Sequence, residues 1–132
     1  MRLLEIVCQR LDDKHPHLRY SVQGCTITVR APESNGHEVW LTENTDDWIV
    51  GYDGWHEHFV SEKEALDCFA FGLSGQCRLR VCLRGNFAYR WTLETLNDND
   101  WTTESTTDLL LCPFWRPRRI EYRQNPALKM SS

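Results

Sequence analysis

The sequence predicts an α+β fold: a mainly antiparallel β-sheet with two helices, at about residues 2–13 and 61–73, packed on one face. Three observations carry this expectation. Short runs that alternate apolar and polar residues recur between turn signals, most cleanly in Arg78–Arg84. Two stretches follow helical spacing instead. The order is helix, hairpin-linked strands, helix, then more strands, without the regular strand–helix alternation that a parallel sheet requires. A chain of 132 residues is a single domain by size. It can bury roughly two-thirds of its unfolded surface without staples.

In chain order, Leu3, Leu4, Val7 and Leu11 form one helical stripe, with Glu5, Gln9, Arg10 and Asp12 off it and Pro16 ending it. Next, the apolar residues are Leu18, Tyr20 and Val22 before Gly24, and Cys25, Ile27 and Val29 after it. A hairpin turning at Gln23-Gly24 puts all six on one face and pairs Val22 with Cys25; a bulge at Gly24 is the alternative. After the loop Pro32–Gly36 come two strands, Glu38–Glu43 and Trp48–Asp53, joined by Asn44–Asp47. A third aromatic segment, Trp55–Phe59, follows Gly54 and leads directly into Ser61-Glu62-Lys63-Glu64. That tetrapeptide is a capping box, with Val60 and Ala65 placed for a hydrophobic staple. Ala65, Leu66, Phe69 and Leu73, with Cys68 beside them, form the stripe to be buried, and Gly72 or Gly75 is expected to stop the helix.

In the Arg78–Arg84 strand, Leu79, Val81 and Leu83 share a face, as do Phe87, Tyr89, Trp91 and Leu93 in the next strand. A two-residue Gly85-Asn86 loop would set Arg80 against Trp91 and mix the faces. An odd-length loop pairs Leu83 with Tyr89, Val81 with Trp91, Leu79 with Leu93, Arg78 with Glu94 and Cys82 with Arg90, and is the expectation. Leu96–Asp100 reads as a turn, Trp101–Thr107 as a strand, Leu109–Cys112 as a short apolar run, and the Pro113–Pro117 segment as a loop. Ile120 and Tyr122 mark a last strand, and residues 126–132 a frayed tail. The expected core includes Leu79, Val81, Leu83, Tyr89, Trp91, Leu66 and Phe69.

Composition narrows the function class. No apolar run approaches the ~18 residues of a membrane span, and the N-terminus lacks the pattern of a signal peptide. The cytoplasm is therefore the expected compartment. The six cysteines form no CxxC pair and no zinc spacing, so they are expected to be reduced thiols packed as small hydrophobes. The net charge of −4 is uneven: residues 33–67 hold ten carboxylates against Lys63 alone, whereas arginines crowd the later part.

Three functional readings follow. The leading one is a small non-catalytic binding protein with a protein partner, of the accessory, inhibitor or immunity-protein type found in bacteria. Its candidate surface is Arg78, Arg80, Arg84 and Arg90 with Trp115, Arg116, Arg118 and Arg119, since Arg and Trp are favoured at interfaces. Trp115, between two prolines, is the tryptophan expected to be exposed, and most of the other five are expected in the core. The second reading gives the same Arg face to nucleic acid or another polyanion. The third is a small enzyme or ligand-binding domain around Asp53, His56, Glu57 and His58. On a strand His56 and His58 point the same way, and Asp53 or Glu57 could orient an imidazole beside the helix N-terminus. The spacing is not HExxH, because Val60 stands four after His56; likewise Gly72-Leu73-Ser74-Gly75 lacks the glycine of a nucleophile elbow, having Gln76 in its place. No metal and no cofactor is expected.

Overall fold

The computed structural model describes residues 2–109 and 111–126. The elements are α1 (Arg2–Lys14), β1 (Tyr20–Gln23), β2 (Thr26–Val29), β3 (Val39–Glu43), β4 (Trp48–Tyr52), β5 (Trp55–Phe59), α2 (Glu62–Leu73), β6 (Cys77–Arg84), β7 (Phe87–Asn97), β8 (Asp100–Asp108) and β9 (Arg118–Arg123). The fold is α+β and wholly antiparallel, as the alternation implies. The strands nevertheless form two sheets: a five-stranded meander β1-β2-β3-β4-β5, and a four-stranded sheet ordered β8-β7-β6-β9. The break falls at α2, which separates β5 from β6 in the chain and packs on β3, β4 and β5.

One core serves both sheets. It takes Leu3, Leu4, Val7 and Leu11 from α1, Ile27 and Val29 from β2, and Val39, Leu41, Val50, Tyr52 and Trp55 from β3–β5. Ala65, Phe69 and Leu73 of α2 join it, with Leu79, Val81, Leu83 and Leu93 of the second sheet. Of the expected core, Leu66 and Trp91 are only half-buried and pack against its edge. Trp55 is the tryptophan that is fully buried; Trp40, Trp48, Trp91 and Trp101 are half-buried.

Turn chemistry sets the registers, and it departs from expectation twice. In the β1–β2 hairpin Gln23 faces Thr26 and Val22 faces Ile27. The turn is thus Gly24-Cys25, one residue later than expected, with Gly24 at φ +57 in the first central position, where a type II′ turn wants glycine. The pairing is displaced by two residues, so Tyr20 and Val22 still share a face with Ile27 and Val29, while Cys25 leaves that face for the turn and is exposed. In the β6–β7 hairpin Arg84 faces Phe87 across a two-residue Gly85-Asn86 loop, not an odd one. A bulge between Cys82 and Leu83 corrects the parity, so Val81 still faces Trp91, Leu79 faces Leu93, Arg78 faces Glu94 and Cys82 faces Arg90, while Leu83 faces Ala88. Between β7 and β8 the expected turn contracts to Asp98-Asn99, both at positive φ, and β7 runs on to Asn97. Leu109 and residues 111–113 are irregular, and the tail beyond Pro126 lies outside the described residues.

Helix α2 starts as its cap predicts: Ser61 Oγ accepts from the Glu64 amide at 3.3 Å. The staple does not form, because Val60 is 85% exposed. Nor does a left-handed glycine end the helix. Gly72 lies inside it, and the C-cap is Ser74 in extended conformation. The Gly72 carbonyl, one of the acceptors a helix end leaves open, instead receives the His37 ring at 2.9 Å and the Asn125 amide at 3.1 Å.

Gly72 is needed for contact rather than for termination, since a Cβ there would overlap the ring of fully buried Tyr52. Replacing an interior helix glycine by alanine ordinarily stabilises by about 1 kcal/mol. Gly72→Ala is expected instead to destabilise by about 1–3 kcal/mol, because the methyl group overpacks the site. Urea unfolding of the two proteins checks this; a midpoint shifted upwards would contradict it.

Candidate functional site

The turn between β4 and β5 places the third set of candidates. Tyr52 faces Trp55 and Ile49 faces His58, leaving Asp53-Gly54 as a two-residue turn. Asp53 adopts φ +50, which aspartate tolerates better than most residues. Its carboxylate is fully engaged: Oδ1 accepts from the Glu38 amide at 2.8 Å, and Oδ2 from Arg123 Nη1 at 2.7 Å. Arg123 belongs to β9, so Asp53 joins the first sheet to the second. It is not a free base.

His56 and His58 do share a face, with ring centroids 6.2 Å apart. That face is the outer one of the meander. Both side chains are exposed, and neither lines the described grooves. Glu57, on the same strand between them, points to the opposite face. The carboxylate that orients an imidazole is therefore neither Asp53 nor Glu57 but Asp47, whose Oδ2 lies 2.9 Å from His58 Nδ1. Hydrogen bonds from His58 and then from Asn44 hold the Asp47 carboxyl below its ordinary pKa. This contact was available from the register: with Ile49 opposite His58, residue 47 is its diagonal neighbour on that face. Beside the histidines the Trp40 indole lies across Gly51, and its Nε1 donates to the Asp53 carbonyl at 3.0 Å. Among the described residues, no group of three or more His, Cys, Asp or Glu side chains is arranged to hold a metal ion.

All six cysteines are free thiols. Burial pushes Cys68 up to about 11 and Cys77 up to about 12, so neither is a thiolate near neutrality. His37 is buried, with Nε2 donating to the Gly72 carbonyl and Nδ1 unpartnered among the described residues.

The arginine candidates divide into two groups. Arg78 Nε is 2.6 Å from Glu94, and its guanidinium lies between Trp101 and Tyr122, 4.2 and 4.3 Å from the ring centroids. Arg90 pairs with Asp108 at 3.1 Å and Arg119 with Glu121 at 3.4 Å. Arg80, Arg84, Arg116 and Arg118 have no carboxylate partner among the described residues. Three of these four surround the end of the second sheet. There the 113–117 loop docks on the β6–β7 turn through Gly85 N to Pro117 O, at 2.8 Å, and Arg119 Nε donates to the Gly85 carbonyl at 3.1 Å. The loop holds Phe114 and Trp115 out to solvent, 74% and 72% exposed, with their rings edge to face at 5.4 Å. Leu111, Phe87 and Ile120 are exposed on the flanking segments. The structure thus pairs the Trp115 expected from sequence with Phe114, which was not singled out.

Comparison with known protein families, with curated proteins and with solved structures finds no match for this chain.

The environment of His37 makes a prediction about pH. Burial lowers its pKa below the ordinary 6.5, so the unfolded chain takes up the proton first as pH falls. Its contribution to stability is intact above pH 6.5 and is lost as pH falls from there toward the folded-state pKa. Urea unfolding at pH 7.5 and 5.5 is expected to show a drop in the native protein that is smaller in His37→Gln. Equal drops in the two proteins would contradict this.

Proposed function

We propose that this protein is a non-catalytic cytoplasmic binding protein, and that its partner is a protein engaged by the Phe114–Trp115 loop. The observation that carries this reading is the pair of large aromatic side chains held clear of the surface on a loop that is closed by an internal turn and docked at its Pro117 end on the β6–β7 turn. Arg116 N donates to the Pro113 carbonyl at 2.9 Å and Gly85 N to the Pro117 carbonyl. Large exposed apolar side chains side by side mark interaction sites, and aromatic residues are favoured as anchors there. Arg84, Arg116 and Arg118 at this end of the sheet, which have no carboxylate partner among the described residues, favour a partner with an acidic rim.

The polyanion reading has less support. Phosphate recognition needs a track of free cations. Here Arg78, Arg90, Arg119 and Arg123 are already held by carboxylates, and the whole chain carries −4. The enzyme reading lacks a cleft, since His56 and His58 stand on an open sheet face.

The test is affinity capture followed by titration with single variants. Trp115→Ala is expected to weaken partner binding by roughly 2 kcal/mol, about a thirtyfold rise in Kd. The same substitution should change folding stability by less than about 0.5 kcal/mol, being at the surface. A captured partner whose affinity is indifferent to Trp115→Ala and Phe114→Ala would contradict the assignment. Steeply salt-dependent binding to single-stranded nucleic acid would favour the second reading.

A further inference from the structure

A different surface carries a second site. Helices α1 and α2 leave a groove of about 720 Å³ between them. This is within the roughly 300–1,000 Å³ typical of small-molecule sites. Its floor is apolar, built from Val7 and Leu11 of α1 and Leu66, Phe69 and Leu73 of α2. Its edges are not: Arg10, Lys14 and Lys63 line it against a single carboxylate, Asp67, which is itself bridged to Lys63 at 3.0 Å. Arg10 and Lys14 are exposed and have no carboxylate partner among the described residues. A cationic margin on a chain of net charge −4 is a local departure. Lys and Arg on such a margin can lay their methylene stems along an apolar ligand while the charged ends meet its headgroup.

We propose that this groove binds a single-chain amphiphile with an anionic head, of the long-chain carboxylate class. The apolar floor takes the chain, and Arg10 and Lys14 take the carboxylate. The volume favours a small ligand over a docked helix, and the charge of the margin favours an acid over a neutral lipid.

The probes are dodecanoate and dodecanol, titrated calorimetrically into the intact protein below their aggregation limits. Dodecanoate is expected to bind saturably, one molecule per chain. Arg10→Gln with Lys14→Gln, both at exposed positions, should weaken dodecanoate about tenfold and leave dodecanol unchanged. Ala70→Trp, also exposed and on the groove, should remove binding of both. Circular dichroism melts are used to confirm that the variants are folded. Absence of saturable dodecanoate binding, or binding that survives Ala70→Trp, overturns the site. Equal weakening of acid and alcohol by the glutamine pair overturns recognition by charge. Binding of an acidic amphipathic peptide without dodecanoate binding assigns the groove to a protein and overturns the proposal.

Discussion

The two sheets share one core, and the polar contact that ties them across it is made at the Asp53-Gly54 turn. Its aspartate carboxylate ties the Glu38 amide on one side and Arg123 on the other, and its carbonyl accepts from Trp40. A Cβ on Gly54 would overlap the Trp91 indole of β7, so the second sheet approaches the turn backbone directly. One residue on, Trp55 Nε1 donates to Ser105 Oγ of β8 at 2.8 Å. Both partners of the Asp53–Arg123 pair are mostly shielded, with side-chain exposures of 17% and 24%. Breaking a shielded pair from one side leaves the other charge without compensation, which makes such a contact costly to lose. Just beyond Arg123, Gln124 N donates to the Asn35 carbonyl and Asn125 Oδ1 accepts from the His37 amide. The end of β9 therefore fixes the loop before β3 and, through Gly72, the end of α2.

This arrangement explains why the polar cluster around Asp53 looked like a site in the sequence. Aspartate, histidine and glutamate within six residues form the same pattern whether they converge on a ligand or hold a turn. What separates the cases is where each side chain points. Strand alternation sends Glu57 away from His56 and His58, and the carboxylate that meets His58 comes from the preceding turn at Asp47. The contacts that fixed Asp53 lie 15 and 70 residues away along the chain, beyond the reach of local pattern.

Local chemistry was legible where it decided the structure alone. The Ser61 cap, the α1 stripe, the face of Leu79 and Val81 in β6 opposite Trp91 and Leu93 in β7, and the exposure of Trp115 all follow from spacing. Faces survived over the inner parts of these strands and changed next to the turns: Trp91 and Leu93 keep the expected face, whereas the bulge moves Phe87 opposite Arg84 and the turn takes up Cys25. A bulge at Cys82/Leu83 and a two-residue offset at Gly24 are both invisible to a parity argument. One glycine misled for a related reason. Gly72 read as a helix stop, yet it makes room for the Tyr52 ring; Gly54 is in its expected turn and in addition makes room for Trp91. The separation into two sheets, and the groove between the helices, exist only in three dimensions.

The most direct measurement of the central claim is a double-mutant cycle on that polar contact, with Asp53→Ala, Arg123→Ala and the pair compared by urea unfolding. If the Asp53–Arg123 contact holds the sheets together, the single losses will not add. The coupling energy is expected to be about 1–3 kcal/mol, with both sheets unfolding in one transition. Losses that add to within about 0.5 kcal/mol, or a first transition confined to one sheet in the native protein, would contradict the account.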